Sequence, residues 1–318
     1  MNDDVLPQFH AKHFVWLVAL FALTLYAYNS LNNSSSITAN IPPINTTTTE
    51  RLSEGPLITA TSAVVLSADG ETLFSRNDRT QYPLASLTKL LTIYTASHRL
   101  SPTSLVTIPK EAIESGPLSL VQPGEHWTVG DLITMALVAS SNEAANSLCF
   151  ELGQNETGIE RLPYSEATQK CVELLNRTAR SLGLASVYVT NPTGLDIHLG
   201  IVGGAYGTPR DIARLMLITY TDYPEVFIPS TRMRSVVTSA TGRSVTVDNT
   251  NTRITDFDTL LGSKTGTTRL TGGNLAILAR RSGVLYAIVL FQSGEAERFD
   301  DALILDRMIA ATLSTRTK

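Results

Sequence analysis

Residues 260–291 read LLGSKTGTTRLTGGNLAILARRSGVLYAIVLF, and this stretch decides the fold class. Leu260–Thr265, Gly273–Ala279 and Val284–Phe291 are short β-rich runs, and Arg281-Ser282-Gly283 is a turn between the last two. Ser244–Val247 is a further strand upstream, and Ala296–Leu313 forms a closing helix. In that helix Phe299, Leu303 and Ile304 are expected to face one way, with Met308 a turn further on. At the other end, Leu57–Leu66 is an alternating β-branched run, and Asp69-Gly70 turns it into Thr72–Ser75. The stretch between these two ends is helical in pattern. Ser86–Arg99 follows Pro83, Val129–Leu148 and Ala167–Leu182 carry apolar residues at helical spacing, and Gly183 is placed to cap the latter. Pro209–Tyr220 has Thr208 as its N-cap and proline at its first position. Strand, helices, strands, helix is an α/β (α+β) domain whose antiparallel sheet is flanked by helices and completed by both ends of the chain. No internal repeat is evident.

The composition narrows the class of protein. With 43% hydrophobic and 17% charged residues among 318, the chain can bury a sizeable core. A net charge of −4 and the lack of a basic run interleaved with aromatics give no sign of a nucleic-acid partner. Cys149 and Cys171 are too few for a disulfide scaffold and are read as buried free thiols, their pairing left open. The N-terminus differs in kind. Phe14–Tyr28 is apolar apart from Thr24, though shorter than the roughly twenty residues of an ordinary span. Trp16, Tyr26 and Tyr28 suit an interfacial belt. A poor positive region and no clear cleavage site favour an uncleaved signal-anchor over a removed signal peptide; both readings export the remainder. The expected organisation is therefore a short tail (1–13), a transmembrane signal-anchor (14–28), a Ser/Thr/Asn-rich tether (29–55) and a globular domain (56–318).

Three clusters carry chemistry. In Pro83-Leu-Ala-Ser86-Leu-Thr-Lys89, Ser86 and Lys89 share a helix face, so a hydroxyl and an amine can meet. Serine is a weak nucleophile until its proton is removed, and a lysine kept neutral by burial or a nearby cation can remove it. Backbone N–H groups at a helix start can hold a developing oxyanion. Ser140-Ser141-Asn142 places a hydroxyl and an amide one residue apart, near the end of the apolar helix beginning at Val129. Lys264-Thr265-Gly266-Thr267 lies on a strand, where the lysine and threonine can bind a carboxylate and the glycine allows close backbone approach. Each cluster alone is weak and has an ordinary structural reading as a helix face, a helix end or a basic strand end.

Their order and separation resemble the penicillin-recognising serine enzymes. Within that group the chain resembles the D-alanyl-D-alanine carboxypeptidases of peptidase family S11, the low-molecular-mass penicillin-binding proteins. Asn191-Pro-Thr-Gly-Leu-Asp196 and Asn249-Thr-Asn251 extend the likeness, which covers about residues 56–295. It implies a β-lactamase/penicillin-binding-protein-like transpeptidase fold with an all-helical subdomain. It also implies roles. Ser86 is the nucleophile toward a D-Ala-D-Ala terminus of a peptidoglycan stem peptide, Lys89 the base, and Ser140 a proton relay to the leaving D-alanine. Asn142 would hold the substrate amide, Lys264 and Thr265 its carboxylate, and the N–H groups of Ser86 and Thr267 the oxyanion. β-Lactams would be covalent inhibitors, and the site would need no cofactor or metal. The implied location is the cell membrane with an extracytoplasmic catalytic domain, or secretion if the apolar segment is cleaved.

His10, His13, His98, His126 and His198 accompany no G-x-S-x-G elbow, and His198 reads as a surface loop residue. Arg269 is placed to reach the cleft rim. No metal set and no phosphate loop is visible. The chain departs from the family in about ten extra residues near Gly153–Tyr164, expected as a surface loop. It also has Thr267 where a larger side chain is common, and it ends soon after the catalytic domain, so that the N-terminal run would replace a C-terminal anchor. Rival readings are a murein D,D-endopeptidase, a class A-like β-lactamase and a non-catalytic cell-wall peptide sensor. For the β-lactamase, Glu173-Leu-Leu-Asn176 is one residue short of the required pattern.

Overall fold

A computed structural model describes residues 56–113, 119–157 and 161–316. The expected tail, signal-anchor and tether (1–55) lie outside the described residues. No helix among the described residues is long and apolar enough to cross a membrane. Along the chain come β1 (Ser62–Ser67), β2 (Thr72–Arg76), β3 (Tyr82–Pro83), a 3₁₀ turn (Ala85–Thr88) running into α1 (Lys89–Arg99), β4 (Leu105–Thr107) and β5 (His126–Thr128). Then follow α2 (Val129–Val138), α3 (Asn142–Thr157), α4 (Tyr164–Ser181), β6 (Tyr188–Val189), β7 (Ala205–Gly207) and α5 (Pro209–Asp222). The chain closes with β8 (Arg234–Thr238), β9 (Ser244–Asp248), β10 (Leu260–Thr268), β11 (Gly272–Arg281), β12 (Val284–Ser293) and α6 (Glu297–Arg316).

The main sheet has the order β10-β11-β12-β1-β2, and its ladders are antiparallel. Both ends of the chain complete it, as the sequence predicts, and the tight turn at Gly70 (φ +91°) sits between β1 and β2. The central strands are buried on both faces, which explains why they read as near-continuous apolar runs. Val64 and Leu66 of β1, with Ala287, Val289 and Phe291 of β12, enter the core shared with α1–α5. Ala63 and Val65, with Tyr286, Ile288 and Leu290, enter a second core under α6. The chain reaches β1 through a clamp. Arg76 donates to the Ile58 carbonyl (2.8 Å), and buried Asp301 accepts the N–H groups of Thr59 and Ala60 (2.8 Å each). That clamp holds residues 57–61 outside the strand expected to begin at Leu57.

Four further expectations are corrected. The helix read as Val129–Leu148 is two helices, broken where Ser140 takes φ +59°. The stretch near Gly153–Tyr164 is not simply a loop, because α3 continues through Gly153 to Thr157. Ile304 is 37% exposed, and the buried stripe of α6 runs instead through Phe299, Ala302, Leu303, Leu305, Ile309 and Leu313. Finally, Cys149 and Cys171 are buried but not free: they form a disulfide joining α3 to α4 with Cα atoms 5.4 Å apart. That spacing lies in the range a disulfide spans, and only the antiparallel packing of the two helices creates it. The capping signals agree with the sequence. Thr208 accepts from Asp211 N–H (3.2 Å), and Gly183 (φ +69°) follows α4.

The disulfide closes a segment with a sequence separation of 22 residues. The double variant Cys149→Ser/Cys171→Ser is therefore expected to lose roughly 3 kcal/mol of unfolding free energy in a urea titration. Alkylation of the denatured, unreduced protein should leave both sulfurs unmodified.

Candidate active site

The site forms where three remote parts of the chain meet at the edge of the sheet. Its first wall is the turn at Ser86. Leu84 and Leu87 are fully buried anchors, and buried Asn274 of β11 donates its amide to the carbonyls of Pro83 (3.1 Å) and Leu84 (3.2 Å). The Thr88 hydroxyl closes the turn onto the Ala85 carbonyl (2.7 Å). In a 3₁₀ turn, side chains three apart eclipse, so Ser86 and Lys89 are stacked. Lys89 Nζ lies 2.8 Å from Ser86 Oγ, and Lys89 is fully buried at the start of α1. Ala85, the residue before Ser86, has φ +48°, a conformation that costs about 1–3 kcal/mol and persists only under tight constraint.

The second wall is the α2–α3 junction. Ser140 occupies the left-handed region there, and Ser141 caps α3 by accepting from Ala144 N–H (3.1 Å). The break swings both Ser140 and Asn142 toward the cleft. Asn142 Oδ1 is 2.8 Å from Lys89 Nζ, and Ser140 Oγ is 2.8 Å from Lys264 Nζ. The third wall is β10. A Cβ on Gly266 would lie 3.1–3.3 Å from Leu84 O, Leu87 N and Ser86 N, so this strand runs against the Ser86 turn itself. Lys264 and Thr265 are buried, while Thr267 is exposed at the rim. These contacts bring Ser86, Lys89, Ser140, Asn142, Lys264 and Gly266 together, with Thr265 and Thr267 beside them on β10. Lys264 is held well below the usual lysine range, first by complete burial and then by the cations of Lys89 and Arg298.

Behind the crevice lies Asn191-Pro-Thr-Gly-Leu-Asp196. The Thr193 carbonyl accepts from Lys89 Nζ (3.1 Å) and the Pro192 carbonyl from the Thr92 hydroxyl (2.9 Å). Asn191 Oδ1 gathers the N–H groups of Thr193 (3.2 Å) and Gly194 (2.7 Å), which shapes the loop. Gly194 has φ +77°, and a Cβ there would fall 1.9 Å from Ala85 O. Asn249-Thr-Asn251 also has a clear place. Thr250 donates to the Val138 carbonyl at the end of α2 (3.1 Å), and the Thr265 hydroxyl donates to Thr250 Oγ1 (2.7 Å).

Among the remaining sequence candidates, His198 is exposed in a loop, as its structural reading has it. Arg269 is exposed, with its stem against Gly200. Glu173 sits half-exposed on α4, its carboxylate accepting from Gln169 and Lys170 (3.3 Å each). Sequence reasoning missed Asn274 and Arg298. Arg298 donates from Nη1 to Thr267 Oγ1 (2.7 Å), Gly266 O (3.1 Å) and Asn274 O (3.3 Å). No group of side chains suited to a metal ion occurs among the described residues.

This combination of fold and crevice defines the class, the penicillin-binding type of serine enzyme fold. The chain superposes on the Streptomyces K15 DD-transpeptidase with a TM-score of 0.68 at 20% identity, covering 79% of this chain and 97% of that one. Penicillin-binding protein D2 of Listeria monocytogenes, solved in an ampicillin-bound form, aligns at 25% identity with a TM-score of 0.63, covering 78% and 96%. Residues 47–294 match the D-alanyl-D-alanine carboxypeptidase family, peptidase S11, and the chain belongs to that family. A D-alanyl-D-alanine endopeptidase of Pseudomonas aeruginosa is 29% identical over 61% of this chain, and D-alanyl-D-alanine carboxypeptidase DacC of Escherichia coli is 26% identical over 80%. The matched regions span 56% and 62% of those two relatives.

Gly194→Ala is expected to destabilise the protein by at least about 1–3 kcal/mol, from the left-handed backbone alone. The clash with Ala85 adds to this and displaces the Ser86 turn. Thermal unfolding measures the loss of stability, and a crystal structure of the variant the displacement of the turn.

Proposed function

We propose that this protein is a serine-type D-alanyl-D-alanine carboxypeptidase that trims peptidoglycan stem peptides through an acyl-enzyme on Ser86. The observation that carries the reading is the environment of Lys89 Nζ, between Ser86 Oγ, Asn142 Oδ1 and Thr193 O. The two carbonyl oxygens can only accept. Lys89 Nζ donates to Ser86 Oγ in the resting geometry; once neutral, the amine can keep its two N–H groups on the carbonyl oxygens and turn its lone pair to the Ser86 hydroxyl. Ser86 Oγ then bonds to the carbonyl carbon of the penultimate D-alanine while its proton passes to Lys89. The C–N bond breaks, Ser140 relays a proton to the departing amine, and water cleaves the ester to free the shortened peptide. Asn142 holds the substrate amide, and Lys264 with Thr265 holds the terminal carboxylate. The N–H groups of Ser86 and Thr267 bind the oxyanion, where such donors are most effective.

The family match supports the substrate class, and the ampicillin-bound relative supports covalent inhibition by β-lactams. An endopeptidase acting on D-alanyl cross-links is the second reading, since two curated relatives carry that name. Against the β-lactamase reading, Glu173, the candidate base for its deacylating water, is engaged with Lys170 on a half-exposed face of α4. We further propose that residues 14–28 anchor the enzyme in the cell membrane and residues 29–55 tether an extracytoplasmic catalytic domain beginning near residue 56. The disulfide between Cys149 and Cys171 supports export, since such bonds persist in oxidising compartments.

Purified protein is expected to be labelled by a fluorescent penicillin and to release D-alanine from a pentapeptide. Ser86→Ala should abolish both, and Lys89→Ala should slow acylation by about 10²–10⁴-fold. Absence of label would leave a peptide-binding sensor; release only from cross-linked dimers would establish the endopeptidase. Rapid turnover of a chromogenic cephalosporin would revive the β-lactamase.

The pH profile has a definite sign. Lys264 binds carboxylate only when protonated, so kcat/KM should fall as pH rises through its lowered pKa, well short of the usual lysine range. In Lys264→Arg, whose guanidinium stays charged, that basic limb should vanish.

A further inference from the structure

Arg298 is placed where a cation is unwelcome for three separate reasons. It lies in the first turn of α6, where the helix dipole disfavours positive charge. It is only 8% exposed, and burial lowers its pKa. Among the described residues, no carboxylate forms an ion pair with it; the charge of Glu295 acts on it through space but does not outweigh burial, and its Nε is buried without a hydrogen-bond partner. Stacking over Phe299, with 4.9 Å between the guanidinium and the ring centroid, offsets part of this. A buried group kept under such conditions calls for an explanation, and its contacts supply one.

We propose that Arg298 is a positioning residue for acyl transfer, polarising through the Gly266 carbonyl the peptide unit whose N–H completes the oxyanion hole. This rests on the reading of Ser86 as the nucleophile. The Gly266 carbonyl and the Thr267 N–H belong to one peptide group. That group is trans, so the N–H points away from the carbonyl that the guanidinium holds. A charged donor on the carbonyl draws electron density from the nitrogen and strengthens the N–H as a donor, as in any hydrogen-bonded chain. The same Nη1 grips Thr267 Oγ1 and Asn274 O, and the Asn274 side chain holds the Pro83 and Leu84 carbonyls that precede Ser86. One cation therefore fixes both halves of the oxyanion hole at a set separation. Its charge also reaches Lys264, whose proton affinity it reduces.

The test compares wild type, Arg298→Gln and Arg298→Lys in the full-length protein, measuring fluorescent-penicillin acylation as a function of penicillin concentration. Labelling of wild type is the precondition, and its failure would overturn the nucleophile reading rather than the role of Arg298. Arg298→Gln is expected to lower the limiting acylation rate constant about tenfold or more, with labelling amplitude and half-saturating concentration unchanged. Arg298→Lys should recover part of the rate. A loss confined to amplitude or to half-saturation, with the rate constant within about twofold of wild type, would make Arg298 a packing residue only. A second measurement is independent of how much variant folds: the ratio of turnover for a D-alanyl-D-lactate ester and its C=S counterpart. Sulfur accepts hydrogen bonds poorly, so a strong hole penalises it. The ratio should shrink in Arg298→Gln, and an unchanged ratio in both variants would contradict polarisation.

Discussion

The meeting of Lys89 with Ser86 inside a buried turn is the constraint on which the rest of the site depends. An amine removed from water is costly as an ammonium and useful as a base, provided that its remaining bonds are met. Here they are met by acceptors from two other parts of the chain, Asn142 at the start of α3 and the Thr193 carbonyl in the loop behind the crevice. Neither is near Lys89 in sequence, so the amine can be positioned only once the helical part and the sheet have closed around α1.

Several features that look locally unfavourable make sense in that setting. Ala85 and Ser140 both take positive φ, and each stands where a side chain must be aimed into the cleft against the run of its own helix. Three buried basic side chains, Lys89, Lys264 and Arg298, gather around the site. Lys89 and Arg298 each disfavour a charge on Lys264, and under the proposed function that cost is offset by the negative charge of a substrate carboxylate and a developing oxyanion. The two cores on either face of the sheet supply the rigidity that holds this arrangement, one through α1–α5 and the other through α6.

The sheet and the three clusters could be read in advance because their signals are periodic or fixed in spacing. β10–β12 are apolar runs separated by turns, and Ser86 and Lys89 need only one helical turn to meet. Other features had no such signal. The break at Ser140 was hidden because apolar spacing continues in phase from Val129 to Leu148, and a left-handed serine leaves no mark in composition. Ile304 was misplaced because the stripe of α6 is set partly by small Ala302, which a count of large apolar residues overlooks. The pairing of Cys149 with Cys171 depends on the antiparallel contact of α3 and α4. Asn274 and Arg298 escaped notice because they act on backbone carbonyls or on a hydroxyl. A polar side chain of that kind is defined by where it arrives, not by its neighbours in sequence.

The most direct measurement is a crystal structure of the protein after reaction with penicillin. The account predicts a covalent bond to Ser86 Oγ, the ester oxygen between the N–H groups of Ser86 and Thr267, and the penicillin carboxylate against Lys264 and Thr265. An unmodified Ser86, or an acyl group whose carbonyl oxygen points away from those two N–H groups, would contradict it.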